Sequence, residues 1–288
     1  MDYSILNDLE GFREKVIASL ARARVDFLEQ LQFIEEQRNS RESWEGAGVL
    51  LPLFFSPEQN PQKKGPGQYV FLLNKRSQKV QQAGDLCAPG GGIHPFTDAI
   101  TQRLLLSRVI PAAWGRGIDG ARKRGKALFR AILFFFGNAL RESWEEVRLS
   151  PFNVEFFGPL PCYRLMSFRR IIFPLVGRAK RLWQPRLSWE VEKIVSIPVQ
   201  AFFQPENYAL YSLEVPDDLV ARGIPNPWVF PCLVQNIDGQ EEILWGATFN
   251  IIQSFLEIVF HEQPPSPDGR WVIQRPLVAN YLSGNRER

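Results

Sequence analysis

Three glutamates are clustered in a short segment whose pattern is that of an amphipathic helix. Glu142, Glu145 and Glu146 are three and four positions apart, so on an α-helix they project from one face. Neighbouring carboxylates repel one another unless a positive charge lies among them. A basic side chain or a divalent cation can supply that charge, and carboxylate oxygens suit Mg²⁺ or Mn²⁺. An ordinary acidic face in contact with solvent is the alternative that the cluster alone leaves open.

The elements around this cluster indicate how the chain positions it. Leu140, Trp144 and Val147 recur at i, i+4 and i+7, which predicts that this side of the helix faces the core. The apolar segments Gly48–Phe55 and Tyr69–Leu73 predict two buried strands, and a loop with three consecutive glycines follows them. Two strands, a glycine-rich loop and an acidic helix are thus expected in this order along the chain.

Residues 141–149 resemble the second half of the Nudix hydrolase signature, Gly-x5-Glu-x7-Arg-Glu-U-x-Glu-Glu-x-Gly-U, where U is a bulky apolar residue. The matching positions are Arg141, Glu142, Glu145, Glu146 and Leu149. Ser143 stands where an apolar residue is usual, and Arg148 stands in place of the second glycine. The loop at residues 88–92, Ala-Pro-Gly-Gly-Gly, is similar to the glycine-rich loop that opens the signature.

The two halves of the signature are further apart here than in the family pattern. The pattern places its arginine 14 positions after the opening glycine, whereas Arg141 follows Gly92 by 49 positions. An insertion of about 35 residues, at about 100–133, accounts for the difference, and Asp98 is the best candidate for the first glutamate. The insertion is rich in Arg and Lys. We expect either a solvated, partly mobile excursion or a basic flap that attracts polyphosphates.

Two further segments resemble one branch of this family, the coenzyme A pyrophosphatases. Residues 72–77, Leu-Leu-Asn-Lys-Arg-Ser, are similar to the branch's lead-in to the glycine loop. Residues 245–248, Trp-Gly-Ala-Thr, followed by an apolar helix, are similar to its closing element. The resemblance implies cleavage of a pyrophosphate bond in a nucleoside diphosphate linked to another group. Coenzyme A or a related small-molecule nucleotide would be the substrate.

The family resemblance also implies roles for individual residues. Glu142, Glu145 and Arg141 would be catalytic, the arginine by orienting the glutamates through ion pairs. The cofactor would be Mg²⁺ or Mn²⁺, held by Glu142, Glu145 and Glu146. The substrate-binding positions would be Arg76, Gly90, Gly91, Gly92 and Glu190.

The fold class that the resemblance implies is α/β, a Nudix-type α/β/α sandwich with a mixed β-sheet and one basic insertion. Residues 1–40 are predicted as an N-terminal helical extension, with one helix from residue 5 to about 38. Residues 41–262 would be the Nudix domain, and residues 263–288 an irregular C-terminal extension. Within the domain, Asp238-Gly239 lies between two apolar segments and predicts a hairpin.

Composition is that of an ordinary globular protein, with 45% hydrophobic and 23% charged residues. Three widely spaced cysteines fit neither a disulfide framework nor a zinc site, and Met1–Ser4 lacks the features of a signal peptide. We therefore expect a cytoplasmic location. No apolar run reaches about 18 residues, so no membrane span is expected. The apolar residues of the N-terminal helix and of Phe134–Phe136 exceed what one core needs, which predicts a homodimer.

Two functions remain open from the sequence. The complete set of one arginine and three glutamates favours hydrolysis. The departures at Ser143, Arg148 and the first glutamate favour a catalytically inactive Nudix-fold module that binds nucleotides or regulates another protein. Nucleic-acid binding is not expected, because the net charge is only +3 and Trp114 is the single aromatic residue in the basic part of the insertion.

Overall fold

The computed structural model describes residues 3–39, 43–57, 67–221, 223–269, 271–277 and 281. Its helices are α1 (Leu9–Arg22), α2 (Phe27–Gln37), α3 (Pro95–Leu106), α4 (Arg116–Arg122), α5 (Lys126–Val147), α6 (Asp217–Val220) and α7 (Gly246–Phe260). Its strands are β1 (Glu45–Ser56), β2 (Gln68–Arg76), β3 (Leu86–Cys87), β4 (Gly90–Gly92), β5 (Val154–Pro159), β6 (Tyr163–Leu165), β7 (Arg170–Ala179), β8 (Val191–Pro198), β9 (Tyr208–Glu214), β10 (Trp228–Ile237), β11 (Gln240–Trp245) and β12 (Val272–Pro276). Within the predicted C-terminal extension, residues 270, 278–280 and 282–288 lie outside the described residues. The prediction that this extension is irregular is wrong for β12, which pairs with β9.

A mixed sheet forms the centre of the fold. Its strands lie in the order β3-β2-β1-β7-β5, with β8 beside β2, β4 beside β1 and β6 beside β7. β1 and β7 are parallel, whereas β2 is antiparallel to both β1 and β8. The central strands β1 and β7 are apolar along most of their length, as expected for strands that are covered on both faces.

Helices cover both faces of this sheet. Successive residues of a strand point to opposite faces, so Leu51 packs in a core that contains Phe12 of α1 and Phe255 of α7. The adjacent Leu50 belongs to the other core, which contains Phe135 of α5. The sheet therefore separates two helical layers, and the predicted fold class, an α/β/α sandwich around a mixed sheet, is confirmed.

A second, smaller sheet has the strand order β11-β10-β9-β12, in which β12 is parallel to β9. Its hairpin β10–β11 turns at Asp238 and Gly239, whose φ angles are +53° and +78°. Asp and Gly adopt this left-handed conformation more readily than bulkier residues, which is why the pair predicts a tight hairpin turn. The predicted hairpin is therefore confirmed. The helix that follows it, α7, is also present as expected.

The N-terminal segment forms two helices, and the prediction of one helix from residue 5 to about 38 is wrong. α1 ends at Arg22 and α2 begins at Phe27. Between them the Asp26 carboxylate accepts hydrogen bonds from the side chain of Gln30 and from the backbone N–H of Cys162, at 2.8 Å each. The break between the two helices is thus fixed by a contact with a distant part of the chain. The spacing of apolar residues within the segment carries no information about such a contact.

Part of the apolar surface on which the homodimer prediction was based is buried within this chain, whereas Leu9 and Leu28 are 37% and 43% exposed. Phe135 and Phe136 are fully buried, and the Phe135 ring stacks on Phe173 with a centroid distance of 3.6 Å. Phe12 and Leu20 of α1 are fully buried as well. These four residues therefore belong to the two cores of the chain, and the homodimer stays a prediction.

Residues 100–133 are largely helical and packed, not an irregular excursion. They form the rest of α3, α4 and the start of α5, and they bury Leu105, Ile110 and Ile118 in the core on the α5 side. Two of the arginines in this segment contact α1: Arg116 pairs with Glu14, and Arg124 donates to the carbonyl oxygens of residues 21 and 23.

Cys87, Cys162 and Cys232 carry free thiols. Among the described residues, no helix is both long enough and apolar enough to cross a membrane.

Candidate active site

Arg141 lies at the centre of the predicted site and contacts three carboxylates. Its Nε donates to Asp98 at 2.8 Å, its Nη1 to Glu145 at 2.9 Å and its Nη2 to Glu142 at 2.8 Å. Nη2 also donates to the carbonyl oxygen of Gly92 at 3.1 Å. The guanidinium group therefore holds two of the predicted metal ligands in place and ties α5 to the glycine-rich loop.

A buried polar network fixes the same loop from below. Asp98 and Asn138 have no exposed surface. The Asn138 amide donates to Gly92 O at 2.9 Å and to Asp98 at 3.0 Å, and its oxygen accepts the N–H of Gly48 at 2.7 Å. Asp98 also accepts the N–H of His94 at 2.7 Å. Because every polar group of Asn138 has a partner, the network positions the loop without leaving an unsatisfied buried group.

Two of the three loop glycines are required by close packing. A Cβ on Gly91 would lie 2.6 Å from the Glu142 carboxylate, and a Cβ on Gly90 would lie 2.5 Å from the carbonyl oxygen of Gly48. A Cβ on Gly92 would meet no atom within 4 Å. Gly90 and Gly91 therefore let the loop backbone approach the acidic helix and β1, whereas Gly92 has room for a side chain.

Glu146 is the most deeply buried of the three helix glutamates. It accepts a hydrogen bond from Asn74 Nδ2 at 2.8 Å and another from the backbone N–H of Gly90. The pKa of Glu146 is raised to about 8, chiefly by burial and also by the neighbouring Glu142 and Glu190 carboxylates, while Arg76 and the Gly90 N–H act to lower it. The negative charges of three glutamates therefore converge at this point of the site.

Glu142 experiences the same crowding. Burial raises the pKa of the Glu142 carboxyl, Arg141 lowers it, and the charges of Glu145 and Glu190 raise it again. Glu190 immediately precedes β8, and its backbone carbonyl oxygen accepts a hydrogen bond from the N–H of Ser77 at 2.9 Å. The structure thus brings Glu190, distant in sequence, into the field of the helix glutamates.

Glu145 is placed differently from its two neighbours. Its side chain is 54% exposed, and its described partner is Arg141.

The prediction that Trp144 faces the core is wrong. The Trp144 side chain is 43% exposed and lies against the Arg148 guanidinium group. Ser143 is the buried residue instead, and its hydroxyl donates to the Ala139 carbonyl oxygen at 2.7 Å.

Arg76 connects this carboxylate cluster with a neighbouring cavity. It is the last residue of β2, and its Nε donates to the Gln81 carbonyl oxygen at 2.8 Å. Its positive charge lowers the pKa of Glu146 and also that of Asp85. Arg76 also lines a cavity of about 290 Å³, together with Gly90 and Gly91. A predicted substrate-binding residue and two loop glycines therefore share one wall of a ligand-sized space.

The carboxylate oxygens of the site are suitable ligands for a hard divalent cation, although the carboxylates are not close enough together to form a ready metal site. In the part of the chain that the structure describes, no group of three or more His, Cys, Asp or Glu side chains is arranged to hold a metal ion. Glu142, Glu146 and Glu190 nevertheless supply oxygen donors, and the pKa of Glu142 and of Glu146 is raised first by burial and then by the charge of neighbouring glutamates, Glu190 among them. A divalent cation would relieve the repulsion between these charges, and oxygen donors are those that Mg²⁺ and Mn²⁺ prefer.

Asn74 and Asn138 are site residues that the sequence analysis missed. Asn138 lies in an otherwise apolar stretch of α5, and Asn74 follows an apolar run in β2. A polar residue on a face that should be buried requires a hydrogen-bonding partner, and this was the available signal.

Comparisons of the sequence with protein-family models and with curated proteins give no match. Comparison with solved structures gives proteins described as Nudix or Ap4A hydrolases. A MutT/nudix family protein from Enterococcus faecalis is 9% identical, with a TM-score of 0.38 over 81% of this chain and 69% of that one. A Nudix hydrolase from Nitrosomonas europaea is 12% identical, with a TM-score of 0.33 over 79% of this chain and 80% of that one. The C. elegans Ap4A hydrolase in a binary complex is 12% identical, with a TM-score of 0.33 over 54% of this chain and 81% of that one.

Proposed function

We propose that this protein is a metal-dependent Nudix hydrolase that cleaves a pyrophosphate bond in a nucleoside diphosphate linked to another group, with coenzyme A or a related nucleotide as its substrate. The observation that carries the proposal is the convergence of Glu142, Glu146 and Glu190 beside Gly90 and Gly91, next to a cavity. A pyrophosphate carries several negative charges, and its hydrolysis needs those charges neutralised.

In this proposal Glu142, Glu145 and Glu146 would hold Mg²⁺ or Mn²⁺, with Glu190, which immediately precedes β8, contributing. When bound, the cation polarises the phosphate oxygens and lowers the pKa of a coordinated water. Arg141 orients Glu142 and Glu145 through the ion pairs described above. Asn74 and the Gly90 N–H orient Glu146.

The protein's own cations complete the charge balance on the substrate. Arg76 lines the cavity beside the carboxylates, where a guanidinium group can donate two hydrogen bonds to one phosphate. Gly91 has no side chain, so the Glu142 carboxylate lies directly against the loop backbone beside the cavity. The diphosphate would therefore lie between Arg76 and the carboxylate cluster.

A substrate panel tests the proposal. The purified protein is incubated with coenzyme A, ADP-ribose, NADH and dinucleoside polyphosphates, in Mg²⁺, in Mn²⁺ and in EDTA, and the products are separated by chromatography. We expect cleavage of at least one compound at its pyrophosphate bond, in the metal-containing samples only. If no compound is cleaved under any condition, the proposal is wrong.

A catalytically inactive module that binds nucleotides is the second candidate. It is favoured by the absence of a ready three-ligand metal group among the described side chains and by Ser143 and Arg148 in the signature. Nucleotide binding without cleavage in the same panel is the result that distinguishes it from a hydrolase.

A further inference from the structure

The cavity beside Gly90 and Gly91 has two chemically different walls. One comes from the large sheet and the glycine-rich loop and carries Arg76. The other comes from the smaller sheet, where Trp228 and Phe230 of β10 line the space. Trp228 and Phe230 themselves lie outside the segments on which the Nudix resemblance is based, although the neighbouring Trp245 belongs to one of them.

Trp228 and Phe230 present aromatic surface to the cavity. They are two positions apart on one strand and so lie on the same face of the sheet. Their ring centroids are 4.7 Å apart, and Phe230 lies 4.9 Å from the ring of Trp245. Trp228 and Phe230 are only partly buried. An aromatic surface left open in a cavity of this size suits a planar ring, which stacks on it.

The aromatic wall is fastened to the loop that precedes the glycines. The indole N–H of Trp245 donates to one oxygen of Asp85 at 3.1 Å, and the hydroxyl of Tyr281 donates to the other. Asp85 follows β2 and immediately precedes β3. Its backbone carbonyl oxygen accepts a hydrogen bond from the backbone N–H of Arg76 at 2.9 Å. The rings are therefore held at a fixed distance from the basic end of β2.

We propose that Trp228 and Phe230 select substrates with a planar ring by stacking on it, while Arg76 holds the diphosphate between that ring and the carboxylates. Arg76 lines the same cavity as the two aromatic residues and lies close enough to Glu146 for their charges to interact. A ligand with a ring at one end and a diphosphate at the other spans this arrangement, whereas inorganic pyrophosphate contacts only the basic end. The inference rests on the proposed function for the position of the diphosphate.

Binding measured without turnover tests the inference. The protein in EDTA is titrated with ADP, which has a planar ring, and with inorganic pyrophosphate, which has none, by calorimetry and by tryptophan fluorescence. Trp228→Leu and Phe230→Leu keep an apolar side chain and remove the ring. Trp114→Leu is the matched control, because Trp114 is exposed and does not line the cavity. Thermal unfolding of each variant checks that the fold is retained.

We expect ADP to bind at least about tenfold more tightly than pyrophosphate, and each cavity variant to weaken ADP binding about tenfold while leaving pyrophosphate binding unchanged. Trp114→Leu should bind both ligands as the unchanged protein does. Equal affinity for ADP and pyrophosphate, or ADP binding that does not depend on Trp228 and Phe230, would overturn the inference. Ring-dependent ADP binding in a protein that cleaves nothing would support it and would contradict only the proposed hydrolysis.

Discussion

Asp98 and Arg141 form an ion pair of 2.8 Å although 43 positions of sequence separate them. The pair joins the helix that follows the glycine-rich loop to the helix that carries the glutamates. The intervening residues therefore leave the two halves of the motif in contact. The insertion separates the two halves of the motif in the sequence, but the two halves are in contact in the folded chain.

Asp98→Asn should destabilise the fold by about 3 kcal/mol, because it removes one charge of a pair whose side chains are 0% and 11% exposed. Denaturant unfolding measures the effect. The control is Glu35→Gln, which breaks the Arg38–Glu35 pair, whose side chains are more than 70% exposed. That variant should change the free energy of unfolding by less than about 0.5 kcal/mol. Equal effects in the two variants would contradict a structural role for the Asp98–Arg141 pair.

Gly91→Ala and Gly92→Ala should differ in activity. The new Cβ at position 91 would lie 2.6 Å from the Glu142 carboxylate and displace it, whereas the Cβ at position 92 has open space. We expect hydrolysis to fall at least about tenfold in Gly91→Ala, since displacement of a catalytic group by about 1 Å can cost more than this. Gly92→Ala should keep most of its activity. Initial rates at saturating metal make the comparison, and a greater loss in Gly92→Ala would be inconsistent with the geometry of the loop.

The stability of the protein should depend on pH through Asp85. Burial raises the pKa of the Asp85 carboxyl from 3.8 to about 6, so the folded state binds its proton more tightly than the unfolded state does. The resulting stabilisation is complete below about pH 4 and is lost as the pH rises to about 6. Between pH 4 and pH 6 the unchanged protein should lose about 2 kcal/mol of its free energy of unfolding through this group. Asp85→Asn should not show this loss, because its side chain does not titrate.

Unfolding curves of both proteins at several pH values between 4 and 7 measure this difference. Asp119→Asn removes an exposed carboxylate of α4 and is the control for the change of net charge. Parallel pH profiles for Asp85→Asn and the unchanged protein would show that Asp85 titrates alike in the folded and unfolded states.

Arg148→Gly should be more stable than Arg148→Ala by about 1 kcal/mol. Arg148 ends α5 with φ +56° and ψ +30°, the left-handed conformation that glycine adopts without steric cost. Both variants lose the contact of the guanidinium group with the Trp144 ring, 5.2 Å away, so the comparison isolates the backbone. Thermal or denaturant unfolding gives the difference, and a more stable alanine variant would refute the conformational explanation.

The sequence was sufficient for features that depend on local pattern. Runs of apolar residues predicted β1 and β2, and Asp238-Gly239 predicted the β10–β11 hairpin. The ion pairs of Arg141 with Glu142 and Glu145 were implied by the family resemblance, which named Asp98 only as a candidate residue and not its contact with Arg141. These features are encoded within a few residues or by a recognised spacing.

Features that depend on long-range contacts could not be predicted in the same way. Residues at i+3 and i+4 lie almost equally near one face of a helix, so periodicity could not decide whether Ser143 or Trp144 enters the core. The break before α2 is associated with a hydrogen bond that the Cys162 N–H donates to the Asp26 carboxylate, and the cavity combines residues from two sheets. Only the assembled fold specifies such contacts.

The central claim, that buried carboxylates of α5 support metal-dependent hydrolysis, is tested most directly by Glu146→Gln. The substitution keeps the size of the side chain and an oxygen that can accept the hydrogen bond from Asn74, but it removes the carboxylate that would bind the cation. With Mg²⁺ and the best substrate of the panel, we predict at least about a hundredfold lower rate with an unchanged circular dichroism spectrum, whereas Glu257→Gln on α7 should retain full activity. Equal rates for Glu146→Gln and the unchanged protein would contradict the account.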